Sequence, residues 1–358
     1  MTDDVLKDIE SFILKKVSKT KIPSVSVSVV DRDGEVWSRA YGFRDLERGL
    51  PAKTTTLYGV GSVTKSFTCL SVMLLQEEGK LSVDDPVEKH LPLELRVKGE
   101  SVRIWHLMTH SSGIPALAYA EALIRGVVGE ENSWISISDC DDMYAFLRKA
   151  GEWGEFRPGE KHFYLNEGYV LLGCIVERVS GKSFVDFVHE RVLQPLGMSR
   201  SYFRREDVES DGDYAVPYVI PEGGKPQPSS YPWGIAADGG LISNVHDLGR
   251  YLRMYLNKGV LDGREVVPRR VVEGMVKPRI PVSGRVFGDE KYGFGWFITE
   301  RFHGERLVFH GGSVLVYTAW VGFLPDRGLG VVLLANASGY LLSYLGMDVL
   351  SLLIREES

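Results

Sequence analysis

Ser62 and Lys65 stand three residues apart in Gly61-Ser62-Val63-Thr64-Lys65, where an apolar run begins. On a helix, residues three apart share a face, so the hydroxyl and the amine can touch. A hydroxyl beside an amine is a route to a nucleophile that needs no histidine. The run continues to Glu78 and is closed by Gly79-Lys80, which reads as a helix with its stop signal. The start of such a helix offers free backbone N–H groups and the positive end of its dipole to a developing oxyanion. Val63, Phe67, Leu70, Val72, Met73, Leu74 and Leu75 leave little polar face, so the helix is expected to be buried. Burial disfavours an ammonium, the condition under which a lysine can accept a proton near neutral pH. The same spacing recurs in Ser18-Lys19-Thr20-Lys21, in a polar stretch before Pro23, and is read as a decoy.

Two further groups carry chemistry. In Pro158-Gly159-Glu160-Lys161-His162-Phe163-Tyr164-Leu165-Asn166 a Tyr-x-Asn precedes a helix pattern. A tyrosine can relay a proton between a serine and a leaving group, and an asparagine can bond both a lysine and a substrate amide. Tyr255-Leu256-Asn257 repeats the pattern but reads as a helix end before Lys258-Gly259. The second group is Phe309-His310-Gly311-Gly312-Ser313, at the end of an expected strand. Two glycines there would let a substrate backbone approach closely, and the N–H of Ser313 could serve an oxyanion. Taken alone, Tyr164 also fits a half-buried aromatic, and the His310 segment a plain hairpin.

The elements that must position these residues are legible in outline. Residues 5–19 have an amphipathic helix pattern. Ser24-Val25-Ser26-Val27-Ser28-Val29 alternates as a half-buried strand, Asp31-Arg32-Asp33-Gly34 is a turn, and Val36–Tyr41 is the returning strand. Near the other end, Leu307-Val308-Phe309, Tyr317–Leu324 and Leu329–Ala335 read as strands, and residues 341–355 as a closing helix. Between them lie helix patterns over 62–78, 102–109, 140–150, 166–180, 183–193 and 246–257. The expected fold is α+β: an antiparallel sheet formed from both chain ends and flanked by terminal helices, with an inserted, mostly helical region. The division is 1–60 and 285–358 for the sheet region and 61–284 for the helical one, with the site in the cleft between them.

Bulk properties narrow the function. Of 358 residues, 44% are hydrophobic and 25% charged, an ordinary globular balance. A net charge of −6 and no basic stripe argue against nucleic acid as a partner. No apolar signal segment opens the chain and no run approaches a membrane span, so no membrane role is expected. Cys69, Cys140 and Cys174 are odd in number and far apart, and are read as reduced core thiols in a cytoplasmic protein.

Together the three motifs resemble the serine β-lactamase and penicillin-binding-protein superfamily, for which Ser-x-x-Lys with partner motifs is a known signature. Their order and wide spacing are similar to the class C-like branch: class C β-lactamases, D-Ala-D-Ala carboxypeptidases, D-aminopeptidases and related esterases. Ile104–Pro115, Gln194–Met198, Ala236–Leu241 and Tyr292–Trp296 support the likeness, which covers roughly residues 10–340. It implies a β-lactamase/transpeptidase-like fold with Ser62 acylated and general-base and general-acid work shared by Lys65 and Tyr164. Asn166 would orient substrate, with His310, Gly311, Gly312 and Ser313 alongside, and the N–H groups of Ser62 and Ser313 would form an oxyanion hole. Which of Lys65 and Tyr164 takes the serine proton stays open. No cofactor or metal is implied, and a homo-oligomer is left open. Some members of the branch carry a further C-terminal β-barrel domain, which is not expected in this chain.

The third motif departs from the Lys-Thr-Gly of β-lactamases. A lysine is a standing cation for a substrate carboxylate, whereas a histidine titrates near 6.5. The expectation is a peptidase, acting on peptides with D-residues or a free terminus, or an esterase, in either case on small amide or ester substrates. A true β-lactamase and a non-catalytic binding protein are the alternatives. If His310 binds a carboxylate, preference for such substrates should rise as pH falls. Gly-x-Ser-x-Gly and phosphate-loop motifs are absent. His106 and His110 have helical metal-ligand spacing without the glutamate that usually accompanies it, and local hydrogen bonding is the expectation. His162 is a supporting candidate for Tyr164. Trp153, Tyr231, Trp233 and the loop Pro221–Gly234 are candidates for the cleft rim, with loop packing as the alternative.

Overall fold

Strand-forming residues from opposite ends of the chain meet in one sheet. The structure, a computed structural model, describes residues 2–128, 137, 139–234, 236–283, 287–338 and 342–356. Its main sheet has nine strands: β1 (Ser24–Asp31), β2 (Glu35–Asp45), β3 (Leu50–Pro51), β4 (Ile280–Pro281), β5 (Lys291–Tyr292), β6 (Phe297–Phe302), β7 (Glu305–Ser313), β8 (Thr318–Leu324) and β9 (Leu329–Ala335). Their order is β4-β5-β6-β7-β8-β9-β1-β2-β3, with antiparallel neighbours throughout. β1 lies against β9, with Val25 opposite Ala335 and Asp31 opposite Leu329. The α+β fold with a sheet built from both ends is therefore present. Strands β4 to β6 extend it beyond the three C-terminal strands read from the sequence. The expected region boundary at 284/285 falls outside the described residues.

β1 is buried on both faces, not half-buried as its alternation suggested. Val25, Val27 and Val29 pack with Ile9 and Ile13 of α1 (Asp3–Val17) and with Leu345 and Leu350 of α11 (Leu342–Glu356). Residue 341, expected to open α11, lies outside the described residues. The serine face is dry because its hydroxyls find partners. Ser24 Oγ donates to Asn336 Oδ1 at 2.9 Å, and Ser24 and Ser26 both bond the Tyr58 hydroxyl, at 3.0 and 3.1 Å. A buried hydroxyl costs little once it is bonded, so polar alternation does not mark a solvent face here.

The second layer, on that serine face, is helical: α2 (Thr64–Glu77), α3 (Ile104–Met108), α4 (Tyr119–Val128), α5 (Cys140–Leu147), α6 (Asn166–Ser180), α7 (Phe184–Val188), α8 (Arg205–Asp211), α9 (Val245–Leu256) and α10 (Arg269–Met275). α9 packs on β1 and β9, and α2 lies against α6 and α10. The expected helix 183–193 is α7 continued by a wider π turn, His189–Leu193. α4, α8 and α10 were not expected. α2 is buried from Thr64 through Leu75, as its composition predicted. Its hydroxyls return to backbone carbonyls: Ser66 to Val63, Ser71 to Phe67, and Thr68 to Ala237 at 2.6 Å.

One expectation is overturned. Cys140 and Cys174 form a disulfide that ties the first residue of α5 to α6, their Cα atoms 5.9 Å apart. Their separation of 34 positions concealed the pairing, because the two helices meet only in the folded chain. Cys69 remains a buried free thiol, and burial pushes its pKa up to about 12.

Candidate active site

Ser62 sits in a single 3-10 turn, Gly61–Val63, that leads into α2. The turn is pressed against the end of β7, backbone to backbone. Gly61 has φ +52°, a left-handed conformation that favours glycine. A Cβ at Gly61 would lie 2.7 Å from the Ser313 nitrogen, and one at Gly312 would lie 1.9 Å from the Val60 oxygen and 3.0 Å from the Ser62 nitrogen. Two bare glycines thus bring the Ser62 and Ser313 amides to one place. The Cβ side of Gly312 is filled by the serine turn, while the residue still lines a cavity at Ser62. Gly311 faces the other way, toward Ser343 Oγ, as strand alternation requires.

Lys65 is fully buried and its amine has three partners. Nζ donates to Ser62 Oγ at 3.0 Å, to Asn166 Oδ1 at 2.8 Å and to the Asp238 carbonyl at 2.7 Å. An amide oxygen and a carbonyl oxygen only accept, whereas a hydroxyl can also donate. Ser62 is therefore the one partner with which a proton can lie on either side of the contact. Asn166 is the first residue of α6, and its Nδ2 donates to Glu121 Oε1 of α4 at 3.3 Å, which fixes the amide orientation.

Tyr164 is half-buried, its ring centroid 5.0 Å from Lys65 Nζ, and it stacks on His110 at 4.0 Å. His110 Nδ1 accepts the Leu165 N–H at 3.0 Å, joining the loop after α3 to the Tyr164 segment. Burial, with neighbouring His162, Lys65 and His310, holds the His110 pKa well below its usual value. His110 is thus a neutral platform for Tyr164. His162 lies beside it, its ring 5.6 Å from His110.

His310 is placed differently from its expected role. It is 1% exposed, with Nε2 2.9 Å from the Tyr292 hydroxyl and Nδ1 2.6 Å from the Gly311 carbonyl. The carbonyl must accept, so Nδ1 carries a proton, and the direction of the Nε2–Tyr292 bond follows the charge state of the ring. Both nitrogens are engaged by the protein, which leaves neither directed at a substrate carboxylate in this arrangement.

Two cavities meet at Ser62, Tyr164 and Ser313. One, of about 280 Å3, runs under α4 and is lined among others by Glu121, Ile124, Arg125, Asn166, Asp238 and Leu315. The other, of about 610 Å3, runs along β7 toward α11, past Phe297, Phe309, Gly311, Leu342 and Ser343. Sequence reading missed Asp238 and Glu121. Asp238 lay inside a quoted signature, and Glu121 on a helix that was not expected. Of the rim candidates, Tyr231 is buried against Tyr317 and Trp233, so it packs the loop. Trp153 is 59% exposed and lines neither cavity. The decoy Tyr255 is core, packed on Trp296.

Known proteins share this architecture. The octameric penicillin-binding protein homologue from Pyrococcus abyssi superposes with a TM-score of 0.94 at 45% identity, over 99% of this chain and 78% of that one. A D-stereospecific amidohydrolase from Streptomyces shares the fold at 22% identity and a TM-score of 0.74, over 92% and 94% of the two chains. By sequence, Protein flp of Staphylococcus aureus is 26% identical over 94% of this chain, and penicillin-binding protein 4* of Bacillus subtilis 28% identical over 84%. The chain spans only 64% and 65% of the length of those two relatives. No helix among the described residues is long and apolar enough to cross a membrane. The Beta-lactamase family profile runs from residue 9 to residue 351, through every element that builds the Ser62 cleft, and the chain belongs to that family.

Proposed function

We propose that the chain is a serine hydrolase that forms an acyl-enzyme on small amides or esters, peptides and short esters being the substrate class. The observation that carries this reading is the Lys65 contact set, in which only Ser62 can exchange a proton with the amine. In the proposed cycle Ser62 Oγ attacks the substrate carbonyl carbon and gives its proton to Lys65 or Tyr164. The oxyanion is received by the N–H groups of Ser62 and Ser313. The carbon–heteroatom bond then breaks, the leaving amine or alcohol takes the proton, and water hydrolyses the ester by the reverse relay. Membership of the Beta-lactamase family and the 45% identity to a penicillin-binding protein homologue support the same chemistry.

A fluorophosphonate probe and p-nitrophenyl acetate test it. Intact mass should show one adduct, mapped to Ser62, and Ser62→Ala should lose the adduct and at least about a thousandfold of ester turnover. A wild-type protein that is neither labelled nor active on the ester sinks the proposal.

A further inference from the structure

Among the described residues no hydrogen bond holds the Tyr164 hydroxyl, so packing alone places that ring. The ring it stacks on belongs to His110, and His110 also grips the chain on both sides of Tyr164. The His110 carbonyl accepts the Phe163 N–H at 2.6 Å, and its Nδ1 accepts the Leu165 N–H at 3.0 Å. The residue before Tyr164, the residue after it and the ring between them are thus all set by one residue. His110 bends to do this: its φ is +54°, a left-handed angle uncommon for a residue with a Cβ. Strain of that kind persists where the surrounding contacts over-determine it. Because Nδ1 accepts, the imidazole proton lies on Nε2, which has no hydrogen-bond partner among the described residues. The groups that face the ring keep it in that form. They are Lys65 of α2, His162 and Tyr164 of the loop before α6, Tyr169 of α6, Tyr292 of β5 and His310 of β7. Lys65, His162 and His310 all oppose a charge on it, and a charged ring would turn a donor toward the Leu165 N–H.

We propose that His110 is a positioning residue for the leaving-group half of the reaction: by fixing the Tyr164 segment it holds the tyrosine hydroxyl where the departing heteroatom is protonated. The proposal rests on the hydrolase reading and deepens it. In that step the bond from the carbonyl carbon to oxygen or nitrogen breaks with its electron pair on the heteroatom. The Tyr164 hydroxyl proton goes to the heteroatom, and the proton that Ser62 released returns to Tyr164. Tyr164 borders the reacting serine, since it lines both cavities that meet at Ser62. A histidine at position 110 does two tasks at once. A phenylalanine would keep the stack without the Leu165 bond. An asparagine would keep an acceptor and the left-handed angle without the stack. A proton donor must sit within hydrogen-bond reach of the atom it serves. Loss of either contact should therefore tell on a leaving group that needs a proton and spare one that does not.

Two acetate esters separate these cases. p-Nitrophenolate leaves as an anion, whereas ethoxide must be protonated. Rates are taken per Ser62 labelled by the fluorophosphonate, so that unfolded chains do not count. His110→Phe and His110→Asn should each lower kcat/KM for ethyl acetate at least about tenfold and for p-nitrophenyl acetate less than about threefold. Adding His110→Asn to Tyr164→Phe should cost no more than about a further twofold, because both act through one hydroxyl. Either His110 variant suffices where the other fails to fold. Equal losses on the two esters, or a His110→Asn loss that persists in full on Tyr164→Phe, overturns the role. A wild-type chain that turns over neither ester removes the hydrolase reading, and NMR of tyrosines labelled at the ring carbon then reads the stack without turnover. The Tyr164 signal, assigned by its loss in Tyr164→Phe, should move in folded His110→Asn, and an unmoved signal overturns the positioning.

Discussion

His106 accepts the Arg103 N–H on Nδ1 at 2.9 Å and lies buried at the start of α3. Burial, reinforced by Arg103, pushes its pKa down to about 4. In the unfolded chain the imidazole regains its usual value near 6.5. Between pH 4 and 6.5 the unfolded state therefore binds the proton first, and stability rises with pH. The contribution is fully present above 6.5 and is lost as pH falls toward 4. At about 1.4 kcal/mol per pKa unit it amounts to about 3 kcal/mol. Buried Asp247 runs the opposite way, since burial raises its pKa, so the raw pH profile mixes signs. The difference between wild type and His106→Asn, which keeps an acceptor for Arg103, isolates the histidine. Urea unfolding at pH 7 and pH 4 should show the wild type losing about 3 kcal/mol more than the variant, and equal losses would refute the assignment. His106 thus serves a local backbone N–H, as expected, whereas His110 serves that of Leu165, 55 positions along the chain.

α6 carries the site at its first residue and the disulfide two turns later, so whatever holds α6 also holds Asn166 and, through it, Lys65. Closing the 34-residue loop between Cys140 and Cys174 removes unfolded-state entropy worth about 3–4 kcal/mol. The double variant Cys140→Ser/Cys174→Ser should lose about that much unfolding free energy, and reductant should do the same to the wild type. Two free thiols at these positions by non-reducing peptide mass would show that the bond is not made. This staple marks where sequence reading stops. Ser62 and Lys65 were legible because one helical turn joins them, and Tyr164 with Asn166 because they open a helix. Glu121, Asp238 and the cysteine pair become meaningful only when α4, the 236–241 segment and α5 arrive beside α6. That is a tertiary fact with no local period. His310 was legible as a motif but not in direction, because strand alternation turned its ring onto Tyr292.

The sheet closes the molecule at β9, which lies between β8 and β1. Its two faces serve different cores. Val331, Leu333 and Ala335 join α1 and α11, whereas Val332 and Leu334 join α2 and α9. Both ends of the chain were readable as strands because their apolar runs are long, while β4 and β5, two residues each, gave no pattern to read. The topology makes β1 wait for a partner some 300 residues away, a non-local pairing whose loop-closure cost is met only when both cores form. The two ends should therefore tolerate truncation unequally. A chain ending at residue 325 loses β9 and α11, opens both cores and exposes the edges of β1 and β8. It should show no cooperative thermal transition. A chain starting at residue 19 loses only α1, which covers one face of the sheet away from the Ser62 turn. It should melt cooperatively at a lower temperature and keep the fluorophosphonate label on Ser62. A cooperative transition from the chain ending at 325 would mean that the helical layer folds without the sheet, and that the Ser62 turn does not depend on the closure of the two ends.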